Sequence, residues 1–239
     1  MPPRALRAVD GPLGYDGVVF RRLTHLVSAW LFGLPAWALL RLLWRVDVRA
    51  GAALSSLRPP LLVVSNHLSL VDSHVFCLAY GLIPRGLFDS RIVPYHTPEA
   101  SNFMRSAVSR FLHTWLRCVP IRRGAGVQQP GIDTVIELLR RGNVVYMFPE
   151  GTRSRDGRLG RATPGVGRVV LESGCSVLPV HLAGLDALLP VGARWPRLGP
   201  RLSISVGEVI DPERWAETPR DRKGWQQTAE DLLEAIQAL

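Results

Sequence analysis

A histidine followed five residues later by an aspartate is the feature that most constrains how this chain can fold. Residues 61–64 (LLVV) are apolar and rich in β-branched side chains, which is typical of a buried strand. The sequence then turns polar and contains His67 and Asp72. On a continuous helix these two side chains would lie roughly 140° apart. They can meet only if His67 lies in a loop after the strand and Asp72 near the start of the next helix, and we predict this local structure.

A carboxylate hydrogen-bonded to an imidazole fixes its tautomer and stabilises its protonated form, which makes the histidine a competent general base. His67 and Asp72 are therefore our candidate catalytic residues. Taken alone, the pattern also fits a structural histidine beside a helix-capping aspartate. The rest of the sequence has to decide between the two.

A second polar loop follows a second apolar strand about eighty residues later. Residues 143–148 (NVVYMF) are predicted to form a strand that leads directly into the loop 149–155 (PEGTRSR). Ligands of α/β folds lie at the carboxyl ends of strands, so the two loops are expected to face one site. Glycine allows close approach of the main chain, and arginine offers a planar fork of donors for phosphate. A surface turn with solvated arginines is the alternative for this segment alone.

The alternation of strands and helices along the chain predicts an α/β fold with a central mixed sheet flanked by helices. Further strands are predicted at 46–50, 91–94, 118–121, 176–180 and 202–206, and helices at 72–80, 99–117, 130–141, 164–172 and 220–239. We assign residues 51–239 to this domain and residues 1–50 to a lead-in that includes a membrane-associating helical segment.

The membrane-associating segment is the uncharged run of eighteen residues at 23–40, which has arginines on both sides. A helix of this length is about 27 Å long, barely enough to cross the hydrocarbon core. Gly33 and Pro35 interrupt it, which favours two short helices lying in one leaflet. A single span, a cleaved signal peptide and a buried core helix remain as alternatives.

Composition indicates an anionic partner. The formal net charge of the 239 residues is +9, and it comes almost entirely from arginine, since Lys223 is the only lysine. With 47% apolar residues and a mean hydropathy of +0.11, a phospholipid surface or a phosphorylated substrate is expected. No basic run interleaved with aromatics and no zinc-finger motif is present, so nucleic acid is not expected as a partner. Cys77, Cys118 and Cys175 are widely spaced, which predicts buried thiols.

Four segments together resemble the glycerolipid acyltransferase superfamily, that of the lysophosphatidic acid acyltransferases. Residues 66–72 (NHLSLVD) match its first block, with its H-x4-D pattern, and residues 148–153 (FPEGTR) its third. Between them, residues 118–124 (CVPIRRG) resemble the second block, and residues 177–180 (VLPV) resemble the fourth. The four blocks occur in the family's order. Two further segments, 126–133 (GVQQPGID) and 186–190 (DALLP), are similar to the tafazzin branch of phospholipid–lysophospholipid transacylases.

The resemblance implies transfer of a fatty acyl group from acyl-CoA or acyl carrier protein to the free hydroxyl of a lysophospholipid, with 1-acylglycerol-3-phosphate as the first expectation. It implies no cofactor beyond the acyl donor and no metal. His67 would be the general base and Asp72 its partner. The implied substrate-binding residues are Arg123, Glu150, Gly151, Thr152 and Arg153. Glu150 would contact an acceptor hydroxyl or hold an arginine, and the sequence does not decide which.

Three alternatives remain at this stage. The first is CoA-independent transacylation between phospholipids, in the manner of tafazzin. The second is a metal-dependent hydrolase that uses His67, Asp72 and His74 as ligands, and the third is a non-catalytic lipid-binding protein. We expect the protein to be membrane-associated and to face the cytoplasm, with its N-terminal segment either monotopic or spanning once.

Overall fold

The computed structural model describes residues 34–50, 58–80, 90–100, 117–193 and 195–239. Six strands and six α-helices are assigned within these ranges. In chain order they are α1 (Leu34–Leu43), β1 (Arg45–Ala50), β2 (Leu61–Ser65), α2 (Asp72–Ala79), β3 (Tyr95–His96), α3 (Pro130–Arg140), β4 (Val144–Met147), α4 (Pro164–Ser173), β5 (Ser176–Ala183), α5 (Leu185–Leu188), β6 (Arg201–Val206) and α6 (Arg222–Gln237). Short 3-10 helices cover Ser90–Ile92 and Pro212–Trp215.

The strands form one mixed sheet in the order β1-β6-β5-β2-β4-β3. All neighbouring pairs are parallel except β5 and β6, which run antiparallel. This confirms the predicted α/β architecture. The two strands that precede the polar loops, β2 and β4, are direct neighbours with Leu61 opposite Val144. Because they are parallel, their carboxyl ends lie at the same edge of the sheet.

Helices cover both faces of the sheet, and the alternation of side chains in β2 shows how. Leu62 and Val64 point into a core shared with α3, α4 and α6, whereas Leu61 and Val63 point into a second core shared with α1, α2 and α5. All four are buried. An apolar run without polar alternation is therefore what a central strand covered on both sides requires.

The packing of α4 against α6 depends on a close main-chain contact. A Cβ atom at Gly167 in α4 would lie 1.8 Å from the carbonyl oxygen of Trp225 in α6. Only glycine lets these two helices approach so closely. Their packing covers the face of the sheet that carries Leu62.

Most sequence-based boundaries lie within a few residues of the observed ones, but two predicted strands are wrong. Residues 91–94 form no strand: a 3-10 helix ends at Ile92, and β3 begins only at Tyr95. Pro94 has no N–H with which to join a ladder. Residues 118–121 are extended, yet they pair only through isolated bridges, His96 with Cys118 and Glu99 with Ile121. Proline at 98 and at 120 interrupts regular pairing there.

The described part of the N-terminal region is joined to the sheet. β1, which our boundary grouped with residues 1–50, pairs along its whole length with β6, and Leu40 of α1 is buried in the second core. Among the described residues, no helix is long and apolar enough to cross a bilayer. Residues 23–33 of the expected membrane segment and most of the predicted helix 99–117 lie outside the described residues.

Candidate active site

The imidazole of His67 and the carboxylate of Asp72 are in direct contact. Nδ1 of His67 lies 2.9 Å from Oδ2 of Asp72. The same oxygen accepts the main-chain N–H groups of Leu68, at 2.7 Å, and Ser69, at 2.9 Å. Asp72 is fully buried at the first position of α2. Since the carboxylate accepts at Nδ1, Nε2 is left as the basic nitrogen of the ring.

The main chain of His67 is held by the loop after β4. Its N–H donates to Oε1 of Glu150 over 2.9 Å, and its carbonyl oxygen accepts the N–H of Ser154 over 2.8 Å. The loop that carries the candidate base is thus fixed on both sides of its α-carbon by the PEGTRS segment. The two loops form one unit.

The ring of His67 is also held by stacking. Its centroid lies 3.8 Å from that of Phe148, and the two planes differ by 14°. Together with the bond to Asp72, this contact restricts rotation of the imidazole about both side-chain torsions. Both residues line the cavity described below.

Asn66 anchors the start of the same loop to β5. Its Nδ2 donates to the carbonyl of Leu182 and its Oδ1 accepts the N–H of Leu182, both at 2.8 Å. The side-chain amide of Asn66 thereby makes the two hydrogen bonds to β5 that main-chain groups would make if β2 continued. This arrangement ends β2 and releases the chain toward His67.

Glu150 has both carboxylate oxygens occupied by main-chain donors. Oε1 accepts the N–H of His67, and Oε2 accepts the N–H of Gly160 over 2.7 Å. A Cβ atom at Gly160 would lie 2.9 Å from Oε2, so a larger residue at this position would have to displace the buried carboxylate. The predicted contact of Glu150 with the acceptor stays a prediction. The geometry assigns it a positioning contact to His67.

The remaining residues of the FPEGTR segment form a tight turn. The N–H of Gly151 donates to the carbonyl of Phe148 over 3.0 Å, and Gly151 has a φ of 64°, which glycine tolerates and most residues do not. Arg153 is half-buried in the cavity wall. Thr152 is exposed and is not part of that wall.

Arg123 lies on a loop held by one buried glutamine. Gln129 accepts the N–H of Arg122 through Oε1 over 2.8 Å, and its Nε2 donates to the carbonyls of Arg122, at 3.1 Å, and Gly126, at 2.8 Å. Nη1 of Arg168 in α4 donates to the carbonyl of Val127 over 2.7 Å. The exposed guanidinium of Arg123 therefore projects from a fixed main chain.

These loops surround a cavity of about 570 Å³. Of the predicted site residues, the structure brings His67, Arg123, Glu150, Gly151 and Arg153 together in its wall, with Asp72 directly behind His67. The apolar part of the wall includes Leu70, Ile121, Val127, Ile132, Met147 and Val166. Such a mixture of apolar surface and a few convergent polar groups is typical of a small-molecule site.

The charge of the wall is positive. Four arginines contribute to it, namely Arg122, Arg123, Arg153 and Arg222. The acidic members are Glu150 and Glu99, and the first of these already accepts two main-chain hydrogen bonds. A ligand that combines an anionic head with an apolar chain matches this wall.

The wall also contains the Cys118 thiol, His96, and His74, which the sequence analysis considered only as a metal ligand. Burial raises the pKa of Cys118 to about 12, which keeps it protonated and poorly nucleophilic at neutral pH. The rings of His74 and His96 stack with centroids 4.5 Å apart. Burial, together with the charges of His74 and Arg117, lowers the pKa of His96 well below 6.5.

No group of three or more histidine, cysteine, aspartate or glutamate side chains in the described ranges is arranged to hold a metal ion. His74, which the hydrolase alternative required as a ligand, instead stacks on His96. The geometry therefore gives that alternative no support within the part of the chain that is described.

Sequence reasoning missed several contributors to the site besides His96, among them Phe148, Gln129 and Arg222. Phe148 was treated as strand, although it is the first residue of the FPEGTR block; Gln129 lay in a segment noted only for its resemblance; and Arg222 opens the last helix and carries no motif signal. Only the position of Phe148, directly before the Glu150 loop, gave a usable indication in the sequence.

Comparison with known proteins shows the family to which the chain belongs. Residues 45–183, more than half of the chain, match the acyltransferase family, and the chain belongs to that family. It is 30% identical over 179 residues to tafazzin of Drosophila melanogaster, covering 73% of this chain and 46% of the relative. It is 28% identical over 151 residues to the chloroplastic 1-acyl-sn-glycerol-3-phosphate acyltransferase BAT2 of Brassica napus, covering 63% and 40% of the two chains.

The fold is shared with a solved structure. The crystal structure of the 1-acyl-sn-glycerophosphate acyltransferase PlsC from Thermotoga maritima aligns with a TM-score of 0.62 and 22% identity, over 98% of this chain and 87% of that one. The chain spans about half the length of the curated relatives named above, or slightly less. Substrates and partners are therefore argued from the site.

Proposed function

We propose that the protein transfers a fatty acyl group from acyl-CoA or acyl carrier protein to the free hydroxyl of a lysophospholipid, with 1-acylglycerol-3-phosphate as the acceptor. The observation that supports this most directly is that His67, with Asp72 directly behind it, lies in the wall of a cavity lined by both arginines and apolar side chains. A lysophospholipid has the matching chemistry: a phosphate, a hydroxyl and an acyl chain.

In the proposed reaction Nε2 of His67 removes the proton of the acceptor hydroxyl as its oxygen attacks the thioester carbonyl carbon. Asp72 stabilises the imidazolium that forms, because its Oδ2 accepts from Nδ1. The tetrahedral intermediate then collapses with cleavage of the carbon–sulfur bond. The departing thiolate takes the proton from Nε2, which regenerates the neutral base and yields the ester and a thiol.

Arg123 and Arg153 are proposed to bind the phosphate of the acceptor. They lie on different loops of one cavity wall, so they would approach the phosphate from two sides and set the distance of its hydroxyl from His67. Gly151 shapes the turn between Glu150 and Arg153, and Thr152 is proposed to contact the exposed end of the ligand. No cofactor other than the acyl donor is required by this scheme.

A second candidate is CoA-independent transfer from an intact phospholipid to a lysophospholipid. It is favoured by the 30% identity to a tafazzin over 73% of the chain and by the segment 126–133, whose Gln129 holds the Arg123 loop. The same pair, His67 and Asp72, would serve, since an ester carbonyl replaces the thioester.

We further propose that the protein works at a phospholipid membrane surface and faces the cytoplasm, with the N-terminal segment 23–40 lying in one leaflet or spanning once. The positive charge of the chain supports an anionic surface, and both substrates are amphipathic. Nucleic acid is not proposed as a partner.

The two candidate functions are separated by supplying labelled lysophosphatidic acid or lysophosphatidylcholine with either acyl-CoA or diacyl phospholipid as the donor. Product formed only with acyl-CoA supports the first candidate. Product formed from phospholipid without CoA supports the second. No product from any donor and acceptor, with folded protein, would contradict both.

A further inference from the structure

Large apolar side chains are exposed in three segments of the described chain, one of which contributes to the cavity wall. In the described ranges these side chains are Leu39, Leu42 and Leu43 of α1, Leu70, and Val191, Trp195 and Leu198 of the loop between α5 and β6. Among the other described residues, only Leu239 is a large apolar residue of comparable exposure. Trp195 is 82% exposed and Leu198 69%. Single exposed leucines are ordinary, but this concentration in neighbouring segments indicates a surface that contacts something apolar.

Hydrogen bonds hold the three segments together. Nε1 of Trp44, at the end of α1, donates to the carbonyl of Arg197 over 2.9 Å. The N–H of Arg197 donates to the carbonyl of Leu188 over 2.8 Å, which joins Arg197 to the last residue of α5. Oγ of Ser69, beside Leu70, lies 3.4 Å from the carbonyl of Leu189.

The exposed surface leads to the cavity, because Leu70 belongs both to the exposed apolar set and to the cavity wall. Basic residues near these apolar segments are exposed as well. Arg197 lies in the loop, and Arg45 and Arg201 lie opposite one another in the first residues of β1 and β6. Tryptophan and leucine flanked by arginine is the composition that proteins present to the interface of an anionic bilayer.

We propose that the described residues 189–193 and 195–199 of this loop form a membrane-docking element. It inserts Trp195 and Leu198 into the interfacial region of an anionic phospholipid bilayer and, together with α1, holds the mouth of the cavity at Leu70 against the membrane. This proposal rests on the proposed function, since it explains how a lipid acceptor reaches His67 without leaving the bilayer. The charge around the loop favours an anionic lipid surface over a second copy of this basic chain.

The test is an environment-sensitive fluorophore at position 198. Leu198→Cys is labelled in a Cys118→Ser background, since Cys77 and Cys175 are buried, and is mixed with vesicles of phosphatidylcholine containing phosphatidylglycerol. We expect a blue shift and a several-fold rise in emission, weakened by salt. The matched control is Glu217→Cys, in the turn after the 3-10 helix Pro212–Trp215; Glu217 is exposed and lies outside the three exposed apolar segments. It should show no shift.

Three results would overturn the proposal. The first is that vesicles cause no emission shift at position 198, whether or not the protein co-sediments with them. The second is an equal shift at position 217, and the third is a shift that appears without vesicles when only the protein concentration is raised. Trp195→Asp adds a functional measurement. It should lower turnover of a lysophospholipid held in vesicles by about tenfold and leave turnover of a monomeric short-chain acceptor unchanged. If the wild type turned over neither acceptor, the proposed function would be contradicted. The fluorescence result tests the docking surface independently of that activity.

Discussion

The main-chain N–H of His67 donates to Oε1 of Glu150 over 2.9 Å, although 83 residues separate them in the chain. The other oxygen of Glu150 accepts the N–H of Gly160. A carboxylate inside the FPEGTR block therefore positions the loop that carries the candidate base. It need not touch the substrate to affect turnover.

Replacing Glu150 with glutamine should lower kcat by roughly 10- to 100-fold and change the KM for the acceptor little. One end of the glutamine amide is a donor and would face a main-chain N–H, so one of the two bonds is lost and His67 shifts. Steady-state kinetics check this, with the exposed Glu217→Gln as the control. A rise in KM at unchanged kcat would instead indicate a direct contact with the acceptor.

Gly160→Ala gives a second measure of the same contact. The new Cβ would displace the Glu150 carboxylate, so this change and Glu150→Gln should act on one interaction. We expect the double variant to be no worse than the poorer single variant. Multiplicative losses would mean that the two residues act independently.

Removing either cavity arginine should selectively impair phosphorylated acceptors. Arg123→Ala and Arg153→Ala are each expected to raise the KM for 1-acylglycerol-3-phosphate by roughly 10- to 100-fold, because a charge-assisted hydrogen bond to phosphate is lost. Monoacylglycerol, which has no phosphate, should be affected much less. Arg155→Ala is the control, since Arg155 is exposed and outside the cavity wall. Equal effects on both acceptors would refute phosphate binding by these residues.

Gln129→Ala should loosen the loop that carries Arg123. Three hydrogen bonds to main-chain atoms are removed, and we expect the KM for the phosphorylated acceptor to rise about tenfold with kcat nearly unchanged. The neighbouring Gln128 is exposed, so Gln128→Ala is the matched control. If kcat fell while KM stayed constant, the loop would be acting on chemistry at His67 and not on phosphate binding.

Stability should fall as the pH drops below about 6.5, and His96 should contribute to this. Its pKa is lowered in the folded protein by burial, His74 and Arg117, so below its ordinary pKa of 6.5 the unfolded chain binds a proton that the folded chain excludes. Each such histidine lowers the free energy of unfolding by at most about 1.4 kcal/mol per pH unit in that range and has no effect above it. Chemical denaturation at several pH values between about 7.5 and 5 measures the free energy of unfolding that checks this prediction. His96→Phe, which keeps an aromatic ring beside His74, should flatten the dependence; an unchanged slope would show that His96 is not responsible.

The strands and loops that frame the site could be predicted from sequence because each depends on a local pattern. The apolar run 61–64 and the polar turn after it predict a buried strand that ends before His67, and the structure places β2 at Leu61–Ser65. The contact between His67 and Asp72 follows from their spacing once the helix is known to begin at Asp72. Local composition carries this information.

The contacts between loops could not be predicted in the same way. Glu150 bonds to two main-chain N–H groups, and Gln129 bonds to three main-chain atoms, and main-chain donors have no residue-type signature in a sequence. The wrong strand at residues 91–94 has a related cause. Its apolar composition allowed a strand, but Pro94 leaves no N–H for the ladder, and pairing starts at Tyr95.

The central claim is that His67 is the general base of acyl transfer, and the steady-state kinetics of acyl transfer by His67→Ala test it most directly. The account predicts that kcat falls by roughly 10²- to 10⁴-fold, while the KM for the acceptor, the thermal unfolding midpoint and binding to vesicles stay close to those of the wild type. A variant that retains kcat within a few-fold of the wild type, with the donor and acceptor that the wild type uses, would contradict it.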